Sequence, residues 1–279
     1  MLSLLTKNSI KMLKSKTIIP ILLVLGFASC EKEASENEIN ENQTYREVEY
    51  PVGIYHNEIL AEVTAEFGPI TTESHEAAYG QIKSTAESLM GAETFSYSEY
   101  SAYQAEYLPD ATLSMDEAVE LVDGSFMTTM SSALLSNELI TSNEEGIYNE
   151  FAVSLFSNTE FENVMTLFET TIDDINTDPE LTDNERTRLN YSFDIGLNSA
   201  NYWKDQCDMG VSSAWFDILS GNGTVVPAAR WKWRGFMKAM ADLCGGAVGG
   251  AAGFVVGGPV GAGVGAVAVG GGISAASFN

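Results

Sequence analysis

The sequence predicts an all-α protein: a helical bundle body with a disordered acidic tether before it and a glycine-zipper helix or helical hairpin at its C-terminus. Three observations predict it. From about Tyr45 to Leu243 apolar residues recur three and four positions apart, without the sustained alternation of a half-buried strand. Three boxes of Ser or Thr followed three residues later by Glu each open such a run: Ser114 with Glu117, Thr159 with Glu162, and Thr182 with Glu185. After Asp242 no charged residue occurs through Asn279, and Gly245, Gly249, Gly253, Gly257, Gly261 and Gly265 stand at every fourth position. A chain of 279 residues with 45% hydrophobic content has material for a sizeable core.

Residues 1–29 read as a signal peptide. Lys11, Lys14 and Lys16 form a positive stretch, and the apolar run from Thr17 to Ser29 ends in small residues. The run is shorter than the ~20 residues that a membrane-spanning helix needs. Met12 is itself a suitable start, because the whole signal follows it. The sequence Phe27-Ala28-Ser29-Cys30 resembles the lipobox of bacterial lipoproteins, with Phe27 in place of the usual Leu. The resemblance implies cleavage before Cys30, diacylglycerol on its sulfur, and a lipid-anchored place in a Gram-negative cell envelope, at the outer membrane. Residues 30–44 are polar, acidic and without apolar period, as a disordered tether would be.

The body is expected from 45 to 240. In the segment from Gly53 to Phe67, Ile59, Leu60, Val63 and Phe67 make one apolar face. Val119, Val122, Phe126 and Met130 follow the first box. Val164, Phe168, Ile172 and Ile175 follow the second, and Leu189, Phe193 and Leu197 the third. Asn158, the stretch from Asn176 to Pro179 and Gly221-Asn222-Gly223 punctuate these runs, and short punctuation makes neighbouring helices antiparallel. Tyr97, Tyr100, Tyr103, Tyr107 and the pair Tyr202-Trp203 are expected as core aromatics with their polar tips at the rim.

Charge excludes one class of function. The formal net charge is −25, and between Lys83 and Arg186 there is no basic residue at all, so the surface repels nucleic-acid backbones. That acidic stretch holds no Asp-x-Asp-x-Asp-Gly loop, and no calcium cage is expected. With only His56 and His75, no His-Glu-x-x-His and no Cys-x-x-Cys, no metal site is expected either. Glu58 is too near His56 on a helix to face it, which leaves both histidines with structural or surface roles. Gly-x-Ser-x-Gly is absent, no ribose-binding acid follows Gly263, and no lysine follows Lys238. The expectation is a protein without cofactor and without catalysis. With Cys30 lipidated, Cys207 and Cys244 remain, open to one disulfide or to two separate buried thiols.

The tail, 241–279, is the most specific feature. The 13 glycines between Gly245 and Gly272 would cost an isolated helix on the order of 10 kcal/mol relative to alanine, so lipid, another copy or the protein's own helices must surround it. The stretch from Gly245 to Gly265 is about as long as a bilayer core is thick, whereas Gly257-Gly258-Pro259 would bend it into a hairpin. Before it, Arg230, Trp231, Lys232, Trp233, Arg234 and Lys238 interleave bases and aromatics, suited to a membrane interface or to pairing with the acidic body. The tail resembles the glycine-zipper segments of bacterial envelope lipoproteins and, more loosely, small pore-forming bacteriocins. The resemblance implies a non-enzymatic envelope lipoprotein held by membrane lipid at Cys30, whose tail enters membrane or self-associates into a homo-oligomer. A toxin-like membrane-perturbing effector and a helical binding module with the tail as anchor are the alternatives.

Overall fold

The computed structural model describes residues 51–68, 70, 74–108, 125–156, 161–209 and 228–276, which fall within one unit that runs from Tyr45. Among them are eight helices and no strand: α1 (Val52–Phe67), α2 (His75–Met90), α3 (Tyr97–Tyr107), α4 (Ser125–Ser136), α5 (Ser142–Phe156), α6 (Phe161–Thr177), α7 (Asp183–Met209) and α8 (Ala228–Ala276). The all-α fold is the one that the apolar spacing predicts.

Several helices start where their side chains satisfy the free N–H groups of the first turn. At α7 the Thr182 N–H and hydroxyl both donate to Glu185 Oε2 at 2.7 Å, while the Glu185 N–H donates to Thr182 Oγ1 at 3.3 Å. Two further boxes of the same spacing, not singled out from the sequence, cap α3 (Ser96 with Glu99) and α5 (Thr141 with Glu144). Ser114, Glu117 and Thr159 lie outside the described residues. Helix α1 follows Pro51 and has no side-chain cap of its own. Its start is instead tied to α7, where Asp194 Oδ2 accepts from the Gly53 N–H at 2.7 Å. A side chain on Gly53 would collide with Asp194 and Asn198.

Helix α8 is two helices. At Gly257 (φ −137°, ψ 18°) and Gly258 (φ 60°, ψ −148°) the backbone leaves the helical region, and Pro259 opens the second arm, where a missing N–H costs nothing. The arms, 228–256 and 259–276, fold against each other as a hairpin. Every residue from Lys238 to Gly253 and from Gly261 to Ala275 is buried. A helix that is apolar all round belongs inside, and α1, α2, α3, α4 and α7 pack against this one. Arm 1 runs antiparallel along α7, with Gly235 against Trp203 and Cys207 and Gly246 against Ser192 and Ile195. Arm 2 lies on α1, α2 and α3, with Gly263 against Val52 and Met90, Gly271 against Ile82, and Gly272 against Tyr79 and Tyr100.

The tail is therefore not a separate region from residue 241 onwards. It is the core of the body, and of its three possible surroundings the structure has the protein's own helices. Of the two shapes open to the tail, a single span and a hairpin, the structure has the hairpin. The four-residue period is symmetric about Gly257, so a turn there sets Gly253 against Gly261 and Gly249 against Gly265. A methyl on any of these four would strike the carbonyl of the glycine opposite. Gly257 itself sits in the turn and Gly245 faces Gly270.

The seam predicts two opposite alanine effects. Gly253→Ala drives its methyl into the Gly261 carbonyl and should lower stability by about 3 kcal/mol or more, as overpacking a rigid contact does. Gly80→Ala on α2 meets no neighbour and should raise stability by ~0.5–1 kcal/mol. Urea unfolding midpoints of the two variants check both signs.

Candidate functional site

The hairpin has a polar base and an apolar tip. At the base the last charge of the sequence, Asp242, is fully buried on arm 1. Its Oδ2 accepts from Ser199 Oγ and from Trp203 Nε1 (3.1 Å) on α7, and from Ser274 Oγ (3.0 Å) on arm 2. His56 on α1 brings Nε2 to 3.9 Å from the same oxygen, and its Nδ1 lies 3.0 Å from Asn57 Oδ1. One carboxylate thus joins both arms, α7 and α1. One turn before it, Lys238 lies over the Trp203 ring at 4.9 Å, and its Nζ donates to the Ser274 carbonyl at 3.0 Å. That carbonyl belongs to the last turn of arm 2, where the helix dipole favours a cation. Burial pushes the Lys238 ammonium down to about 8, against the pull of Asp242.

Beside this network lies a second one. The ring of His75, at the start of α2, sits between Tyr97 and Tyr100 of α3, with ring centroids 5.6 Å apart in both pairs. Its Nε2 is 3.2 Å from the Gly272 carbonyl and 3.4 Å from the Tyr100 hydroxyl, and its Nδ1 is 3.2 Å from the Tyr97 hydroxyl. A carbonyl only accepts, so Nε2 carries the proton and Nδ1 accepts from Tyr97. Burial lowers the His75 pKa, and the Gly272 hydrogen bond opposes the shift in part. Tyr79 stacks on Tyr100 at 4.3 Å and donates to the Phe95 carbonyl at 3.0 Å.

At the tip the packing ends. Val255 is 65% exposed and Val256 73% exposed, next to exposed Gly257 and Pro259. Behind them Phe254 is covered by the Arg188 guanidinium, 4.8 Å from the ring centre. Arg188 is held in turn by a two-pronged pair with the buried Glu144 of α5, at 2.7 and 2.6 Å. The site is thus an apolar hairpin, sheathed along its length, fixed by polar contacts at one end and bare at the other.

The sequence-level candidates fall into three groups. Gly245, Gly249, Gly253, Gly261 and Gly265 come together in the seam, and Gly257 makes the turn. Lys238 is corrected: it is buried in the core on Trp203 and Ser274, not at a membrane interface. The backbone of Arg230, Trp231, Lys232, Trp233 and Arg234 starts α8, while their side chains and Cys30 lie outside the described residues. Cys207 and Cys244 are separate thiols. Cys207 packs at Gly235, more than two helical turns before Cys244, and burial together with Asp242 pushes the Cys244 thiol up. Of the tyrosines, Tyr100 and Tyr107 are core, and Tyr97 and Tyr103 lie at its edge. Asp242 and the two histidines were not legible as a site. The signal for Asp242 was only that the last acid before an uncharged stretch stood one turn after a lysine.

The fold and the site together define an all-α protein built around an internal glycine hairpin. Comparison with family models, with curated proteins and with solved structures gives no match.

Asp242 should be the most sensitive polar position in the chain. Asp242→Ala leaves three donors without an acceptor and Lys238 without its nearest counter-charge, a change worth about 3–5 kcal/mol. Asp242→Asn keeps an acceptor and should lose roughly half as much. Guanidinium unfolding of the two variants gives the ratio.

Proposed function

We propose that the chain is a non-enzymatic lipoprotein of a bacterial cell envelope, anchored through Cys30, that carries a membrane-active glycine hairpin inside a water-soluble helical sheath. One observation carries this reading: a segment apolar and long enough to cross a membrane, Gly235–Ala275, is folded back on itself, buried along both arms, and exposed only at its valine tip. From Gly235 to Val256 is about 33 Å at helical rise, and arm 2 is about 27 Å, so each arm matches the hydrocarbon thickness of a bilayer. Because the seam satisfies its glycine faces internally, the hairpin can move as one unit without exposing bare backbone.

The tip is the part that meets lipid first. Two valines contribute roughly 3–5 kcal/mol on leaving water, too little to hold a protein alone and enough to add to a lipid anchor. The net charge of −25 favours zwitterionic over anionic surfaces. A second reading, a helical module whose hairpin is a permanent core, is favoured by the Asp242 network, which ties both arms to α1 and α7.

The test separates the two. In the full chain with Cys30→Ala, Val255→Asp with Val256→Asp should reduce binding to phosphatidylcholine vesicles about tenfold or more and leave the thermal midpoint unchanged, since both side chains are exposed. Equal vesicle binding with and without the aspartates would establish the permanent core.

A further inference from the structure

The composition holds only two histidines, and the fold brings both to one place. His56 from α1 lies beside Gly270 and Gly271, and His75 from α2 is bonded to Gly272. Arm 2 is otherwise apolar until Ser274. The His75 bond to Gly272 and the Ser274 contacts with Lys238 and Asp242 fall within its last turns.

We propose that His75 is an acid-sensitive latch on the hairpin: its protonation frees the Gly270–Ser274 end of arm 2 and releases the hairpin to a lipid bilayer. The proposal rests on the membrane reading above and names the regulation of that same site. The neutral ring fits its surroundings completely. Nε2 donates to Gly272 and Nδ1 accepts from Tyr97, with the rings of Tyr97 and Tyr100 on either side. The groups facing it are the hydroxyls of Tyr97 and Tyr100 from α3, the ring contacts that Tyr79 makes with both from α2, and the Gly272 carbonyl from α8. A second proton must go to Nδ1, which forces the Tyr97 hydroxyl to turn from donor to acceptor and places a cation in a buried pocket away from water.

His75 binds its proton less readily folded than unfolded, because burial is the larger cause acting on it. Stability from the neutral ring is complete above the unfolded value of 6.5 and is lost as pH falls from there towards the lower folded value. His56 sits elsewhere at the base: its Nε2 lies 3.9 Å from Asp242 Oδ2 and its ring lies beside Gly270 and Gly271, whereas the hydrogen bond to the Gly272 carbonyl comes from His75, to which the switch is assigned.

The experiment uses the full chain with Cys30→Ala and dye-loaded phosphatidylcholine vesicles at about pH 7.5 and about pH 5.0. Dye release by the unaltered body should rise about tenfold or more at the lower pH. His75→Gln, whose amide can still donate to Gly272 and accept from Tyr97, should stay near its neutral-pH level at both, and His56→Gln should keep the rise. Release with the same pH profile in His75→Gln as in the unaltered body overturns the latch while leaving the membrane reading in place. Vesicles intact under every condition overturn the membrane reading itself. Because a His75 variant can fail by misfolding, the imidazole resonances of the unaltered protein give a second measurement. The latch requires one histidine to titrate below 6.5, assigned to His75 by its loss in His75→Gln, and a titration at or above that value overturns it.

Discussion

The two arms of the hairpin meet backbone to backbone. Arm 1 and arm 2 of α8 meet at glycines, and the carbonyls of Gly249, Gly253, Gly261 and Gly265 occupy the space where side chains would be. Everything else follows from that seam. Two helices so near each other act as one thick rod, and a rod made of glycine, alanine and valine offers its neighbours a smooth surface. Trp203 from α7 meets it at Gly235, and Tyr79 from α2 and Tyr100 from α3 meet it at Gly272, while Phe151, Phe168 and Phe193 pack on one another in the same core. Gly196 continues the same logic one layer out, since a methyl there would strike the Phe168 ring. Small residues at the centre and aromatics around them reverse the usual order of a helical core, and the aromatics supply most of the apolar area that glycine cannot.

A seam without side chains also lacks register. Apolar contacts between smooth helices tolerate sliding, whereas hydrogen bonds to a buried carboxylate do not. Asp242 accepts from arm 2 and from two residues of α7, and Lys238 caps the end of arm 2 from arm 1. At the opposite end, Glu144 holds Arg188 over Phe254. Charged groups pin the base of the rod and cover Phe254 just behind its bare tip, and between them the contacts described along the seam are steric. Burying these charges carries a desolvation cost that an apolar core would avoid, and what it supplies here is position.

How far the sequence reveals this structure depends on the kind of signal. The helices were legible, because they rest on local rules such as apolar spacing and the Thr182–Glu185 box, and Gly257-Gly258-Pro259 offered a hairpin as one of two shapes for the tail. What surrounds the glycines was not, since lipid, a second copy and the protein's own helices all accept the same smooth face. Lys238 misled for a related reason. A lysine in a basic, aromatic stretch before an apolar segment has the pattern of a membrane interface, and only the return of arm 2 puts the Ser274 carbonyl beside its ammonium. The Asp242 site joins residues from α1, α7 and both arms, so no local pattern announces it. The acidic sheath could be read from composition, but the tyrosine pocket around His75 required knowing that α3 crosses the end of arm 2.

The place of the hairpin in chain order has its own consequence. Ribosomes deliver a chain from its N-terminus, and α8 follows the other seven helices described. Until Gly272 and Ser274 emerge, α1 and α7 can meet at Gly53 and Asp194, but the faces that pack on the hairpin have no filling. The outer helices are thus made before their kernel, and the step that completes the fold is the arrival of the apolar hairpin.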